Sequence, residues 1–234
     1  FIGTYGLGAR LLYSRMAGGT DPLGADSILG FIPGPLTGTG SLFGGRFSVV
    51  CKSPINQGWN DANCGGHFGP ELKKAGFDAV LIRGISAKPV YLWIHDGQAE
   101  LRDAGHLWGK DCPETEEALA NELGDAKVSA AVIGLPGEQC AWLAGIMNDR
   151  HRAAARGGVG AVMGSKRLKA VVAHGTGKVP IADENGLRET NRFIMDMMKN
   201  GPEWGTAMGF GMQGTGMGNV YGVMVGDTPI KNWG

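Results

Sequence analysis

Gly65-Gly66-His67-Phe68-Gly69-Pro70-Glu71-Leu72-Lys73-Lys74-Ala75-Gly76-Phe77-Asp78-Ala79-Val80 reads much like Gly157-Gly158-Val159-Gly160-Ala161-Val162-Met163-Gly164-Ser165-Lys166-Arg167-Leu168-Lys169-Ala170-Val171. In each stretch a glycine pair opens a short helical segment. A lysine-rich end and an Ala-Val strand follow, and a further glycine, Gly84 or Gly175, closes the unit. Two ordered copies of nearly equal length predict an internal duplication. A duplicated unit sets two equivalent helix N-termini about a pseudo-twofold axis, and each N-terminus offers unpaired N–H groups and a partial positive charge. Glycines at such a place let the backbone approach a phosphate. Arg46 precedes the first copy, and Arg152 and Arg156 precede the second. Arginine holds phosphate through paired, charge-assisted hydrogen bonds. The pattern therefore suggests a site for two similar anionic ligands or for one pseudo-symmetric ligand, set against the plainer reading that both glycine pairs are tight turns. Neither copy is a P-loop, because G-x-x-x-x-G-K-S/T is absent. No evident strand precedes residues 157–164, which argues against a Rossmann unit.

Working outward, residues 5–16 predict a helix with Leu7, Leu11 and Leu12 on one face. Residues 27–33 predict an apolar strand ended by Pro33-Gly34-Pro35, then a loop at 36–40, a strand at 46–51 and a helix at 68–75 closed by Gly76. A buried strand is expected at 79–83. A hairpin is expected at 90–95 and 98–103, with Asp96-Gly97 as a type I′ turn. Residues 113–123 predict a helix with Pro113 first and Gly124 after its end. Strands follow at 128–133, 142–147 and 168–173. An amphipathic helix at 183–200 is stopped by Gly201-Pro202. Helices and strands alternate but hairpins intervene, so the fold class is α+β.

Composition narrows the function. The 22 basic and 22 acidic residues give a net charge of zero. A bulk basic field for nucleic acid or for an anionic membrane is absent, so any anion site is local. Apolar runs fall far short of the ~18 residues that a spanning helix needs. The 42 glycines are about two and a half times the usual ~7 % share, and many stand beside Arg, Asn and Thr at element edges. Cys51, Cys64, Cys112 and Cys140 form no C-x-x-C pair, which suits buried thiols in a reducing cytoplasm better than a zinc or iron–sulfur site. The chain opens on Phe1-Ile2-Gly3 and stops at Asn232-Trp233-Gly234, which reads as a fragment without a signal peptide.

At the same residues the chain resembles the aldehyde ferredoxin oxidoreductase family of tungsten enzymes. The matching stretches are residues 34–39, 44–47, 52–54, 63–69, 71–79, 146–149, 151–154 and, most specifically, 156–166. The resemblance implies the family's N-terminal domain, a duplicated, layered α+β structure, with residues 1–180 as an N-terminally truncated tungstopterin-binding domain. Residues 181–234 are then the start of the following helical region, truncated at its C-terminus. It implies a tungsten bis-pyranopterin in which two dithiolenes supply four sulfurs to the metal and a magnesium ion bridges the two phosphates. Carried over position by position, Arg46 looks like a pterin- or phosphate-binding arginine. Asn63 and Ala153 look like the residues whose backbone carbonyls hold magnesium. Gly65, Arg152 and Arg156 look like pterin contacts, and Ala155 falls where some members have a contacting glycine. Cys64 stands where serine is common.

The implied reaction oxidises an aldehyde to a carboxylic acid, and a 4Fe–4S cluster passes the electrons to ferredoxin, in an anaerobic, cytoplasmic enzyme that can be a homodimer. The cluster cysteines and the acid–base residues are implied to lie beyond Gly234, so no residue of this stretch is implied to be catalytic. Two alternatives stand beside this reading. One is the tungsten subunit of a benzoyl-CoA reductase-type complex. The other, from a different class, is a non-catalytic bis-phosphate or nucleotide-binding module. A purely structural interaction domain would leave the twin Arg–Gly sites unexplained. Among other residues, His67 reads as a hydrogen-bonded helix-start histidine and Glu114, Glu116 and Glu117 as a solvated helix face. Met195, Met197 and Met198 read as core filler.

Overall fold

Ile28–Pro33 (β1) is apolar, and every residue in it is buried. It can be buried on both faces because antiparallel neighbours flank it and a helix layer covers it. Phe47–Lys52 (β2) pairs along one edge of β1 and Val80–Arg83 (β4) along the other; Trp59–Cys64 (β3) then pairs with β2. The first sheet thus has the order β3-β2-β1-β4. The second sheet repeats the plan with Ser129–Val132 (β7), Ile146–Asn148 (β8), Arg152–Ala154 (β9) and Leu168–His174 (β10), in the order β10-β7-β8-β9 and antiparallel throughout. The hairpin Val90–His95 (β5) and Gln98–Asp103 (β6) extends this sheet, with β5 parallel to β10. These coordinates are a computed structural model, which describes residues 2–201, 204–229 and 231.

The duplication lies in the topology as well as in the sequence. In each copy the third strand leads through a glycine-rich loop into a seven-residue helix, Phe68–Lys74 (α2) or Val159–Ser165 (α5), and then into the fourth strand. The helix α2 touches β1 of the first sheet and β7 and β10 of the second; α5 touches β1 and β2 of the first and β10 of the second. Both helices therefore lie between the sheets. One continuous core joins Phe31, Phe47, Phe68 and Leu72 to Ile133, Val162, Met163 and Val171. A second core lies on the far side of the second sheet, where Tyr91, Leu107 and Val172 meet Leu119 of the helix Cys112–Leu123 (α3). The first helix, Thr4–Arg15 (α1), covers the outer face of β1 and β2 chiefly through Leu12.

Several expectations are corrected. The buried strand expected at 79–83 is Val80–Arg83, an edge strand only half buried, with Arg83 exposed, because β4 has a partner on one side alone. The strand expected at 142–147 begins only at Ile146, and Trp142 and Leu143 are exposed in a turn. In α3 the N-cap is Asp111, which forms a capping box with Glu114, so the helix starts at Cys112 and Pro113 is its second residue. Strands β3 and β9 and the short helix Leu135–Glu138 (α4) were not expected. Trp-Asn-Asp-Ala-Asn-Cys is poor in β-formers and β9 is only three residues long, so neither carries a period-2 signal.

Residues Ala182–Gly234 form a separate unit. Glu184–Asn200 (α6) is capped by Asp183 and followed by Trp204–Gln213 (α7), a 3-10 turn and Gly218–Met224 (α8). Met195 and Met197 are exposed on α6 and Met198 only half buried, so the core-filler expectation does not hold within this unit. The expected stop at Gly201-Pro202 is seen at Gly201; Pro202 lies outside the described residues.

Burial of charge is a feature of α5 and β10. Lys166 is 2 % exposed, and its ammonium donates to the Ser27 carbonyl (2.7 Å), the Ser27 hydroxyl (3.1 Å) and the Gly84 carbonyl (3.5 Å). Burial lowers its pKa to about 8, while burial raises that of the neighbouring Cys51 thiol to about 12. Between pH 8 and the ordinary lysine value, the unfolded chain binds more protons at Lys166 than the folded one, so this group makes stability rise with pH there. Above pH 9 the Cys51 thiol opposes it, because the fold keeps a proton that the unfolded chain loses. Wild type is thus expected to gain thermal stability relative to Lys166→Met between pH 7.5 and 9. A difference between the two melting temperatures that does not change with pH would refute this.

Candidate functional site

The two glycine loops meet where β3 lies against β9. Arg46, just before β2, folds back onto Asn63: its Nε donates to Asn63 Oδ1 at 2.8 Å, and its Nη2 donates to the same oxygen and to the Asn63 carbonyl at 3.4 Å. Arg152 arrives from β9 in the other repeat. Gly65 lies between them. A Cβ placed there would stand 3.5 Å from Arg152 Nη1 and 3.7 Å from Arg46 Nη1, so both guanidinium groups approach one spot that no side chain fills. Arg152 is more than half exposed and, among the described residues, has one carboxylate in ion-pair range, Asp149 Oδ2 at 3.9 Å from its Nε.

Register relates the two halves. Phe47 pairs with Cys64, and Ile146 pairs with Ala154. Counting along the third strands from these pairs, Asn63 corresponds to Ala153 and Gly65 to Ala155, so the glycine pair of the second copy stands two residues later than the sequence alignment of the copies puts it. Ala153, Ala155 and Arg156 are exposed and Gly65 is half buried. Arg156 joins the seam through its backbone: its carbonyl accepts a hydrogen bond from Asn60 Nδ2 at 3.0 Å, and the Gly157 carbonyl accepts one from Ser53 Oγ at 2.9 Å. The structure thus brings Arg46, Asn63, Gly65 and Arg152 together. Ala153 and Ala155 lie on the same seam through their register.

Of the expected pair of open helix N-termini, only the first is met by a carboxylate; Gly158, the N-cap of α5, has no side-chain cap hydrogen bond. Both helices are only seven residues long. Asp149 Oδ2 accepts the His67 backbone N–H at 2.8 Å and lies 3.0 Å from His67 Nδ1, as the helix-start reading of His67 requires. Arg46 and Arg152 bring positive charge to the seam at Gly65. Glu116 is not merely a solvated face either. Both of its oxygens accept the Arg150 N–H, at 3.1 and 3.2 Å, pinning a turn in which Asp149 and Arg150 have positive φ. Cys64 is buried, with Asn148 Nδ2 3.1 Å from its Sγ, and burial raises its pKa.

Sequence reasoning missed Asn60, Ser53, Asp149 and Glu116, because each acts across a long chain separation. A usable signal was Gly157. Its φ is +65°, and a Cβ there would collide with Asn60 Oδ1, which is itself buried. Gly157→Ala is therefore expected to destabilise by about 2–3 kcal/mol, of which ~1–2 reflects the left-handed backbone and the rest the displaced Asn60 side chain. A melting temperature equal to wild type would show that the loop has other room.

Residues 1–175 match the family model described as aldehyde ferredoxin oxidoreductase, N-terminal domain. The chain belongs to this family. It is 49 % identical over 202 residues to a tungsten-containing aldehyde ferredoxin oxidoreductase of Thermococcus kodakarensis, covering 86 % of this chain and 33 % of that protein. It is 46 % identical over 215 residues to the Pyrococcus furiosus protein of the same description, covering 89 % and 36 %. The chain thus spans about a third of the length of these relatives. Among solved structures, the BamBC active-site complex of benzoyl coenzyme A reductase with 1,5-dienoyl-CoA matches with a TM-score of 0.78 at 36 % identity, over 84 % of this chain and 30 % of that one. Membership of the aldehyde ferredoxin oxidoreductase family agrees with the duplicated α+β plan. Among the described residues, no helix is long and apolar enough to cross a membrane, and no cluster of His, Cys, Asp and Glu is arranged to hold a metal.

Proposed function

We propose that residues 1–180 are the tungstopterin-binding part of an oxidoreductase that oxidises aldehydes to carboxylic acids, with residues 181–234 beginning the helical region that follows. One observation carries the reading: two arginines from the two repeats converge on Gly65, where no side chain intervenes. Two guanidinium ions at one spot repel each other unless an anion joins them, and a single nearby carboxylate leaves the spot net positive. A cofactor with two phosphate-bearing halves suits a seam with pseudo-twofold symmetry. Arg46 and Arg152 would bind its phosphate or pterin oxygens, with Gly65, Ala155 and Arg156 lining the approach. Asn63 and Ala153, at matching register positions, would offer backbone carbonyls to magnesium. On this reading the cofactor takes no tungsten ligand from this chain.

When bound, the cofactor supplies the redox and oxygen-atom chemistry. The chain's own part is to bind and orient it and to hold positive charge beside its phosphates. Electrons would leave through a 4Fe–4S cluster, held by residues outside this chain, to ferredoxin. A cytoplasmic homodimer completes the proposal.

The benzoyl-CoA reductase reading draws on the structural match at 36 % identity; the identities of 46–49 % favour the aldehyde enzyme. Elemental mass spectrometry with pterin fluorescence on the whole protein, purified anaerobically from tungstate-supplied cells, tests the cofactor. About one tungsten and two pterins per chain are expected. Neither metal nor pterin in a folded protein would move the assignment to a bis-phosphate or nucleotide-binding module. Turnover of benzoyl-CoA in place of aldehydes would favour the reductase.

A further inference from the structure

The polar contacts that cross the seam run in both directions. From the first repeat, Asn60 Nδ2 donates to the Arg156 carbonyl at 3.0 Å and Ser53 Oγ donates to the Gly157 carbonyl at 2.9 Å. From the second repeat, Asp149 Oδ2 accepts the His67 N–H at 2.8 Å and meets His67 Nδ1 at 3.0 Å. Each repeat therefore holds the glycine loop of the other. Asn60 is 7 % exposed, and its Oδ1 fills the space that a side chain on Gly157 would need. Asp149 is fixed in turn. Its Oδ1 accepts from Ser129 Oγ at 3.3 Å, and the following residue is pinned by Glu116.

We infer that Asn60 and Asp149 are reciprocal positioning residues, which set the separation of the two glycine loops and with it the distance between the two anion-binding halves of the seam. A ligand with two linked anionic ends needs both halves at once. A site loose by about half an ångström on one side loses much of its hold. Nothing places either side chain against the ligand, so each acts through a loop: Asn60 through Arg156-Gly157, and Asp149 through Gly66-His67 and the neighbouring Arg152. The inference rests on the tungstopterin reading and deepens it. It also explains an acidic residue beside an anion site. The Asp149 carboxylate disfavours a bound phosphate, so its hydrogen bond to the His67 N–H, rather than its charge, is what the site uses.

The test is the rate at which tungsten leaves the whole protein during dialysis, at a temperature where circular dichroism shows every variant folded. Asn60→Asp is nearly isosteric but turns the donor into an acceptor facing the Arg156 carbonyl. Asp149→Ala removes the acceptor for His67, whereas Asp149→Asn keeps an amide oxygen for it. Asn60→Asp and Asp149→Ala are expected to lose tungsten at least about fivefold faster than wild type, and Asp149→Asn no faster. A residue that served only as fold glue would speed release only in step with a fall in the melting temperature of the cofactor-free protein, so faster release at an unchanged melting temperature is the expected mark of positioning. Should Asp149→Ala fail to fold, the two near-isosteric variants carry the test. Wild-type release rates in Asn60→Asp and Asp149→Ala, from a wild type that does hold tungsten and pterin, would overturn the inference and leave the cofactor reading standing. Release from Asp149→Asn as fast as from Asp149→Ala would overturn it too. A wild type holding neither tungsten nor pterin would overturn both.

Discussion

Arg152→Ala in the whole protein is expected to weaken cofactor binding about ten- to a hundred-fold while moving the melting temperature of the cofactor-free protein by no more than a degree or two. The first figure follows from losing hydrogen bonds to a charged partner, ~1.5–3 kcal/mol, at about 1.4 kcal/mol per tenfold change in affinity. The second follows from the side chain's surroundings. It is more than half exposed, and its one nearby carboxylate is Asp149, three residues away at 3.9 Å, a surface pair of a kind worth roughly 0–1 kcal/mol. Two effects push binding down together: the cation is lost, and the nearby Asp149 carboxylate is left without its counter-charge. Arg152→Lys restores the charge but not the planar fork, so it is expected to fall between the two. The measurement is tungsten and pterin per chain after dialysis, beside a melting curve. Unchanged tungsten content in Arg152→Ala would remove this arginine from the site, and a large fall in melting temperature would mean that it supports the fold.

The placement of these arginines shows how far the order of residues alone reaches. The duplication is legible because glycine pairs, lysines and Ala-Val strands recur in order, and the topology carries the same repeat in both sheets. Arg46 and Arg152 are legible as candidates because arginine beside paired glycines has few other uses. Their convergence on Gly65 is not legible, because it depends on β3 meeting β9 across the seam, a contact between residues some ninety positions apart. Strand β3 itself is hidden by its composition. Asn60 is a polar residue in a buried setting, and the partner that makes this tolerable, the Arg156 carbonyl, lies in the other repeat. Acidic residues mislead for a related reason. Glu116 reads as a solvated helix face, yet it turns inward to hold the Arg150 N–H. The lysine-rich end of the second copy misleads most. Lys166 and Lys169 read only as a lysine-rich end before and within a strand, and both are buried. Charge in a sequence says nothing of burial unless its partner is also known.

Lys169 gives the second large effect. It is fully buried on β10, and its ammonium donates to the Lys110 carbonyl at 2.8 Å and to Glu138 Oε1. Both oxygens of Glu138, on α4, also accept the Gly109 N–H at 3.0 Å. One carboxylate thus joins α4, the turn before α3 and the second sheet. Glu138→Ala would leave a buried ammonium with a single carbonyl partner and the Gly109 N–H with no acceptor. Breaking a buried pair in this way typically costs about 3–5 kcal/mol, because the charge left behind is not compensated. At roughly 2–4 °C per kcal/mol for a chain of this size, the melting temperature is expected to fall by about 10 °C. The pair's net contribution is a separate matter, since desolvating two ions offsets much of their attraction. Glu138→Gln combined with Lys169→Met keeps an acceptor for Gly109 and removes both charges. This double variant is expected to recover most of the loss and to lie well above either Glu138→Ala or Lys169→Met alone. Equal losses in the double variant and in Glu138→Ala would show that the damage lies in the packing of α4 rather than in an unpaired charge. Because α4 packs on α5, whose N-terminal loop carries Arg156 and Gly157, a loosened α4 is also expected to speed cofactor release, as a consequence of lost stability rather than of lost contact with the ligand.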